Sequence, residues 1–175
     1  MTHAPTLEQL RLHILWAADD PSGVRLNLTG ANLCGASLAG ADLRGAVFTK
    51  VDLRWADLAG ANLAGADLRW ADLTRVDLRW ADLTRADLSR ANLTNADLDG
   101  ANLHEANLTN ADLDGANLHE ANLTGANLHE ANLTGAILTD ADLTDADLTG
   151  ADLDRAILTG CVGYLTRASK CTKGT

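Results

Sequence analysis

Aromatic side chains are nearly missing from this sequence: six among 175 residues, in a chain that is 46% apolar. A globule of this length ordinarily packs its core around Phe, Tyr and Trp. Their scarcity, beside a large excess of Ala and Leu, excludes such a core. It implies a single domain with a narrow interior built from small units of uniform size.

Cysteine is scarce too. Cys34, Cys161 and Cys171 make an odd count at unrelated spacings, with no CxxC pair for zinc or redox chemistry, so a reducing compartment fits best. No run of 18 apolar residues occurs, and Glu8, Gln9, Arg11 and His13 interrupt the N-terminal leucines. Neither a membrane span nor a secretory leader is expected. The expectation is a soluble, cytoplasmic protein.

What the chain has in abundance is repetition. From Leu26 to Gly160 a five-residue pattern runs without insertion through 27 units. Every unit has a large apolar centre, Leu28, Leu33, Leu38 and so on to Leu158, with Phe48 the sole exception to Leu. Two residues before each centre stands Ala, or occasionally Leu26, Val51 or Val76. Apolar spacings of two and then three match neither a helix nor a long alternating strand. Side chains two apart share one side of an extended segment, and the rest of the unit must turn the chain. Such a chain stacks turn on turn as a β-solenoid with coils about 4.8 Å apart. Burying each Leu contributes roughly 1.5–3 kcal/mol, enough in sum to offset ordering without an aromatic core.

Units such as ADLRG, ANLAG, ADLTR and ANLTG resemble the pentapeptide-repeat family, whose usual unit is A(D/N)LXX. The resemblance implies an all-β fold: a right-handed, four-sided (quadrilateral) parallel β-helix with four units per coil. Twenty residues per coil gives nearly seven coils and a rod about 32 Å long. The expected layout is a capping helix and turn over residues 1–25, the β-helix over 26–160, and a C-terminal cap or tail over 161–175. Thr6 and Gln9 have capping-box spacing, and Leu7, Leu10, Ile14 and Leu15 lie on one helical face up to about Ala18. That helix, with Trp16 pressed on the first coil, would block edge pairing.

Outward residues twenty apart should then be stacked neighbours. Lys50, Trp70 and Arg90 form one column and Trp55 and Arg75 another, each placing a cation over an indole. Arg85 falls beside Glu105, and Arg79, Asp99 and His119 make a charged column. Trp55, Trp70 and Trp80 project from three different corners, which favours stacking over a shared recognition patch.

Catalytic equipment is also lacking. No Ser or Cys has the context of a nucleophile, and no glycine-rich phosphate loop occurs. Gly recurs at the last unit position, where a turn needs it. His104, His119 and His129 each precede Glu, but spacings of 15 and 10 put them on three faces of a twenty-residue coil. Two copies of TNADLDGANLHEANL, at 94–108 and 109–123, account for most of that recurrence. Asp and Asn interchange just before the centre, as at Asn62, Asn92, Asn102 and Asn107, so the shared oxygen bonds nearby backbone rather than doing acid–base work. No enzyme activity, cofactor or metal is expected.

Basic residues desert one part of the rod. Residues 1–93 carry 10 basic and 11 acidic groups; residues 94–160 carry only Arg155 against 13 acids. Arg167, Lys170 and Lys173 follow in the tail. The acidic coils hold roughly one net charge per 1.3 Å of axis, against about 1.7 Å for duplex DNA, which disfavours direct nucleic-acid binding. The candidate interaction surface is Asp97, Asp99, Asp112, Asp114, Asp140, Asp142, Asp145, Asp147, Asp152 and Asp154, facing an unidentified protein partner. The resemblance adds a more specific expectation, since fluoroquinolone-resistance members of the family imitate duplex DNA on type II topoisomerase. This chain is similar to them in rod shape, width and acidity, but has no loop insertions and purer Leu centres. Finally, Ile137 and Ile157 replace Asp or Asn twenty residues apart. With Val162, Tyr164 and Leu165 they lie either beneath a folded-back terminal segment or in a two-fold homodimer contact.

Overall fold

The computed structural model of the protein describes residues 5–163. Each unit places one residue in a parallel bridge with the residue twenty positions on, in an unbroken series from Asn27↔Val47 to Asp142↔Val162. One coil is therefore twenty residues, or four units. The pairing is narrower than the short strands expected from the sequence. Only the Asp/Asn position is bridged, because the residues on either side already belong to the approach to, or exit from, a turn.

Backbone bonds run both ways along the axis. The Asp52 N–H donates to the Ala31 carbonyl one coil back (2.9 Å), and the Leu33 N–H donates to the Asp52 carbonyl one coil on (2.7 Å). Within a coil, the Ala36 N–H closes each turn on the preceding centre, here Leu33, at 2.9 Å. The third residue of the turn has positive φ, 66° at Gly30 and 60° at Trp55, the pattern of a type II turn. Glycine was expected at this place. The structure keeps the same left-handed corner where the residue is Trp, Arg, Glu, Asp, Asn or Lys, fifteen corners in all.

The centres and their small partners form one continuous core from Leu26 to Leu148. Ala at the partner position lets the facing walls converge, while the Leu centres, such as Leu58, Leu78 and Leu98, are wholly buried. The architecture is an all-β solenoid.

One helix precedes it. α1 (Leu7–Ala17) begins with a reciprocal capping box: Thr6 Oγ1 accepts the Gln9 N–H at 3.2 Å, and Gln9 Oε1 accepts the Thr6 N–H at 2.8 Å. Its inward face differs from the expected one. Leu10 packs against the core, but Ile14 is half-exposed and His13 is fully buried. The physical reason is an unpaired amide at the start of the first coil, which His13 Nδ1 accepts from Leu26 at 3.1 Å. Trp16 stacks on His13 with ring centroids 5.5 Å apart. Its ring covers Gly45, where an added Cβ would approach it to 2.9 Å.

Among the described residues no helix is long and apolar enough to cross a membrane. Cys34 is exposed and free, and Cys161 is buried.

Candidate interaction surface

The corner chemistry decides which acids are available to a partner. In unit after unit the Asp or Asn before the centre turns its Oδ1 back to accept the N–H two residues later, as Asn62 does from Ala64 at 3.1 Å. Asp97, Asp112, Asp142, Asp147 and Asp152 all make this bond, to Asp99, Asp114, Thr144, Thr149 and Asp154 at 2.9–3.2 Å. Hydrogen bonds from the Thr144 and Thr149 side chains hold the Asp142 and Asp147 carboxyls below the usual carboxylate range. The ten acids of the candidate surface thus divide. These five also build corners, while Asp99, Asp114, Asp140, Asp145 and Asp154 project from the two turn positions beyond the centre.

The N-terminal coils neutralise themselves. Arg44, Arg54, Arg69 and Arg79 each grip the Asp two residues earlier with two donors, Nε and Nη2, at 2.6–2.9 Å. The last three also approach the acid one coil on: Asp72 at 3.6 Å, Asp87 at 3.8 Å and Asp97 at 3.7 Å. These bonds hold the Asp42, Asp52, Asp67 and Asp77 carboxyls low. Sequence reasoning missed the brackets, although the signal was present in each Asp-Leu-Arg triplet.

The stacked columns are largely as expected. The Arg75 guanidinium lies 4.6 Å from the Trp55 ring centroid, Arg90 lies 4.7 Å from that of Trp70, and Arg85 Nε reaches Glu105 at 2.6 Å. The charged column is altered. His119 Nδ1 pairs with Asp99 at 2.8 Å, and that bond holds its pKa above the ordinary imidazole value. Arg79, however, turns to Asp77 and Asp97 instead of Asp99. Among the described residues no cation lies over Trp80, whose ring lies across Gly100, where a Cβ would otherwise sit 2.3 Å from it.

Beyond these coils the balance is lost. From Asp112 onward no Arg or Lys lies within ion-pair distance of any acid among the described residues. Among the described residues the ion-pair neighbours there are histidines, His119 beside Glu120 and His129 beside Glu130, each charged only when protonated. No three His, Cys, Asp or Glu among the described residues are grouped to hold a metal ion. Ile137 and Ile157 are bridged to one another and both exposed, and Val162 is exposed one face further round. Tyr164 and Leu165 fall outside the described residues.

With the coil geometry in place, the family profile for pentapeptide repeats matches residues 27–63, 52–90, 86–125 and 126–162. The chain belongs to the pentapeptide-repeat family. Among solved structures, this pentapeptide-repeat chain is similar to HetL, a protein involved in heterocyst differentiation regulation from the cyanobacterium Nostoc. Identity is 41% over 81% of this chain and 69% of HetL, with a TM-score of 0.54. It is also similar in fold to full-length QnrB1, a plasmid-mediated fluoroquinolone resistance protein, at 23% identity over 81% of this chain and 73% of QnrB1, with a TM-score of 0.72. Curated protein sequences gave no match.

Proposed function

We propose that the protein is a non-enzymatic interaction module, a right-handed four-sided β-helix whose C-terminal acidic coils engage a cationic protein surface. The observation that carries this reading is the run of acids from Asp112 onward that have no Arg or Lys partner among the described residues, against the self-neutralised brackets of the N-terminal coils. Unpaired surface charge of one sign steers association with an oppositely charged partner and repels nucleic acid. Affinity capture at low salt tests it, comparing the wild type with a variant carrying Asp140→Asn, Asp145→Asn and Asp154→Asn. Those side chains project from turns without bracing a corner. Salt-sensitive partners lost from the variant are expected; an identical set of partners on both proteins removes the reading.

A second reading, a DNA-mimicking modulator of type II topoisomerase, is favoured by charge density. The acidic coils carry roughly one net charge per 1.3 Å, close to the about 1.7 Å of duplex DNA. A gyrase supercoiling assay with and without a fluoroquinolone separates the two. Inhibition or protection supports mimicry; no effect at many micromolar leaves the general interaction module. The exposed pair Ile137 and Ile157, with Val162 on the adjoining face, further supports a homodimer joined at the C-terminal end, which would continue one acidic rod into another.

A further inference from the structure

The first coil has a problem that every later coil avoids. At the Ala position of each later unit the backbone N–H closes the turn on the preceding Leu carbonyl, as Ala31 does on Leu28 at 2.9 Å. Leu26 opens the series and has no preceding unit. Its amide donates instead to His13 Nδ1, from the middle of α1, at 3.1 Å. His13 is fully buried, and its Nε2 has no hydrogen-bond partner. Because Nδ1 accepts a hydrogen bond, the ring is the neutral tautomer with its proton on Nε2.

We propose that His13 is a pH-sensitive latch: as a neutral imidazole it fastens α1 to the first coil, and protonation releases the helix and uncovers the coil edge. A protonated ring carries donors on both nitrogens, so Nδ1–H would confront the Leu26 N–H with no acceptor between them. The cation would also be buried. Of the charged groups facing the ring from the coil and its approach, Asp42 favours the proton, as does the Leu43 carbonyl, while Arg25 and Arg44 oppose it. Burial outweighs them all and holds the pKa below the ordinary imidazole value of 6.5. A base with a lowered folded pKa contributes stability that is complete above its unfolded pKa and is lost as pH falls toward the folded value. The latch is therefore closed at neutral pH and weakens progressively as pH falls below about 6.5. Release would expose unpaired backbone at the first coil, the kind of edge that recruits further strands.

Hydrogen–deuterium exchange on the full chain tests this. Between pH 7.5 and 5.5, after correction for intrinsic exchange, protection of α1 and the Leu26 amide should fall about tenfold relative to the central coils. His13→Asn keeps an acceptor near the Nδ1 position but gains no proton in this range, so its protection should not change with pH. Unchanged wild-type protection, or the same fall in His13→Asn, overturns the latch. Should His13→Asn fail to seat the helix at either pH, an NMR titration of the wild-type imidazole decides: a ring that titrates at or above 6.5 while α1 stays protected also overturns it.

Discussion

A single residue per unit sets the direction of the chain. The corner residue adopts positive φ in all 27 units, and in fifteen of them it carries a side chain. Each such residue costs about 1–2 kcal/mol in the left-handed region unless its side chain offers something in return. Trp55 and Trp70 do so by receiving Arg75 and Arg90 from the coil above, worth about 0.5–1 kcal/mol each. Gly65 isolates the backbone component, since a Cβ built there meets nothing within 4 Å. Gly65→Val should cost about 1–2 kcal/mol in chemical denaturation, and Gly65→Asn less, because Asn tolerates this region. Equal losses would show that the corner strain does not depend on backbone preference.

At the scale of the unit, an Asx oxygen and a turn work together. Asp82 Oδ1 accepts from the Thr84 N–H at 3.0 Å and from the Thr84 hydroxyl at 2.6 Å. Asp82→Ala strips both bonds from a half-buried corner and should cost about 1–2 kcal/mol. Asp82→Asn keeps the oxygen and should fall well short of that. If Asn proves as damaging as Ala, charge and not acceptance is what the position requires. The free interchange of Asp and Asn made this role legible in the sequence. The Arg brackets were less legible, because period-twenty reasoning directs attention to the next coil, while Arg79 finds its shortest partner two residues back in its own unit.

The whole molecule is a stack in which each coil touches only its neighbours, so its ends decide what it does with other molecules. At one end His13 and Trp16 close the first coil. At the other, the bridged pair Ile137 and Ile157 leaves apolar surface where every earlier coil but Val47's presents a polar side chain. Size-exclusion chromatography with light scattering should give a dimer mass for the wild type and a monomer mass for Ile157→Arg. The same monomer mass for both proteins removes the homodimer.

The sequence by itself determined the period and the identity of the core, because the five-residue spacing of Leu and Ala puts both inside; the twenty-residue coil was implied only by the family resemblance, and the bridging of the structure decided it. The sequence also determined the charge division along the rod, which follows from composition alone. Only the tertiary structure decided what covers the first coil and which acids remain available. The helical pattern of α1 favoured Ile14 as the inward residue, yet a buried unpaired amide costs more than an exposed isoleucine, so His13 turned inward to Leu26. Likewise, Asp97 and Asp99 read alike in the sequence. Bridging places Asp97 where it braces a turn, and leaves Asp99 projecting from that turn toward His119.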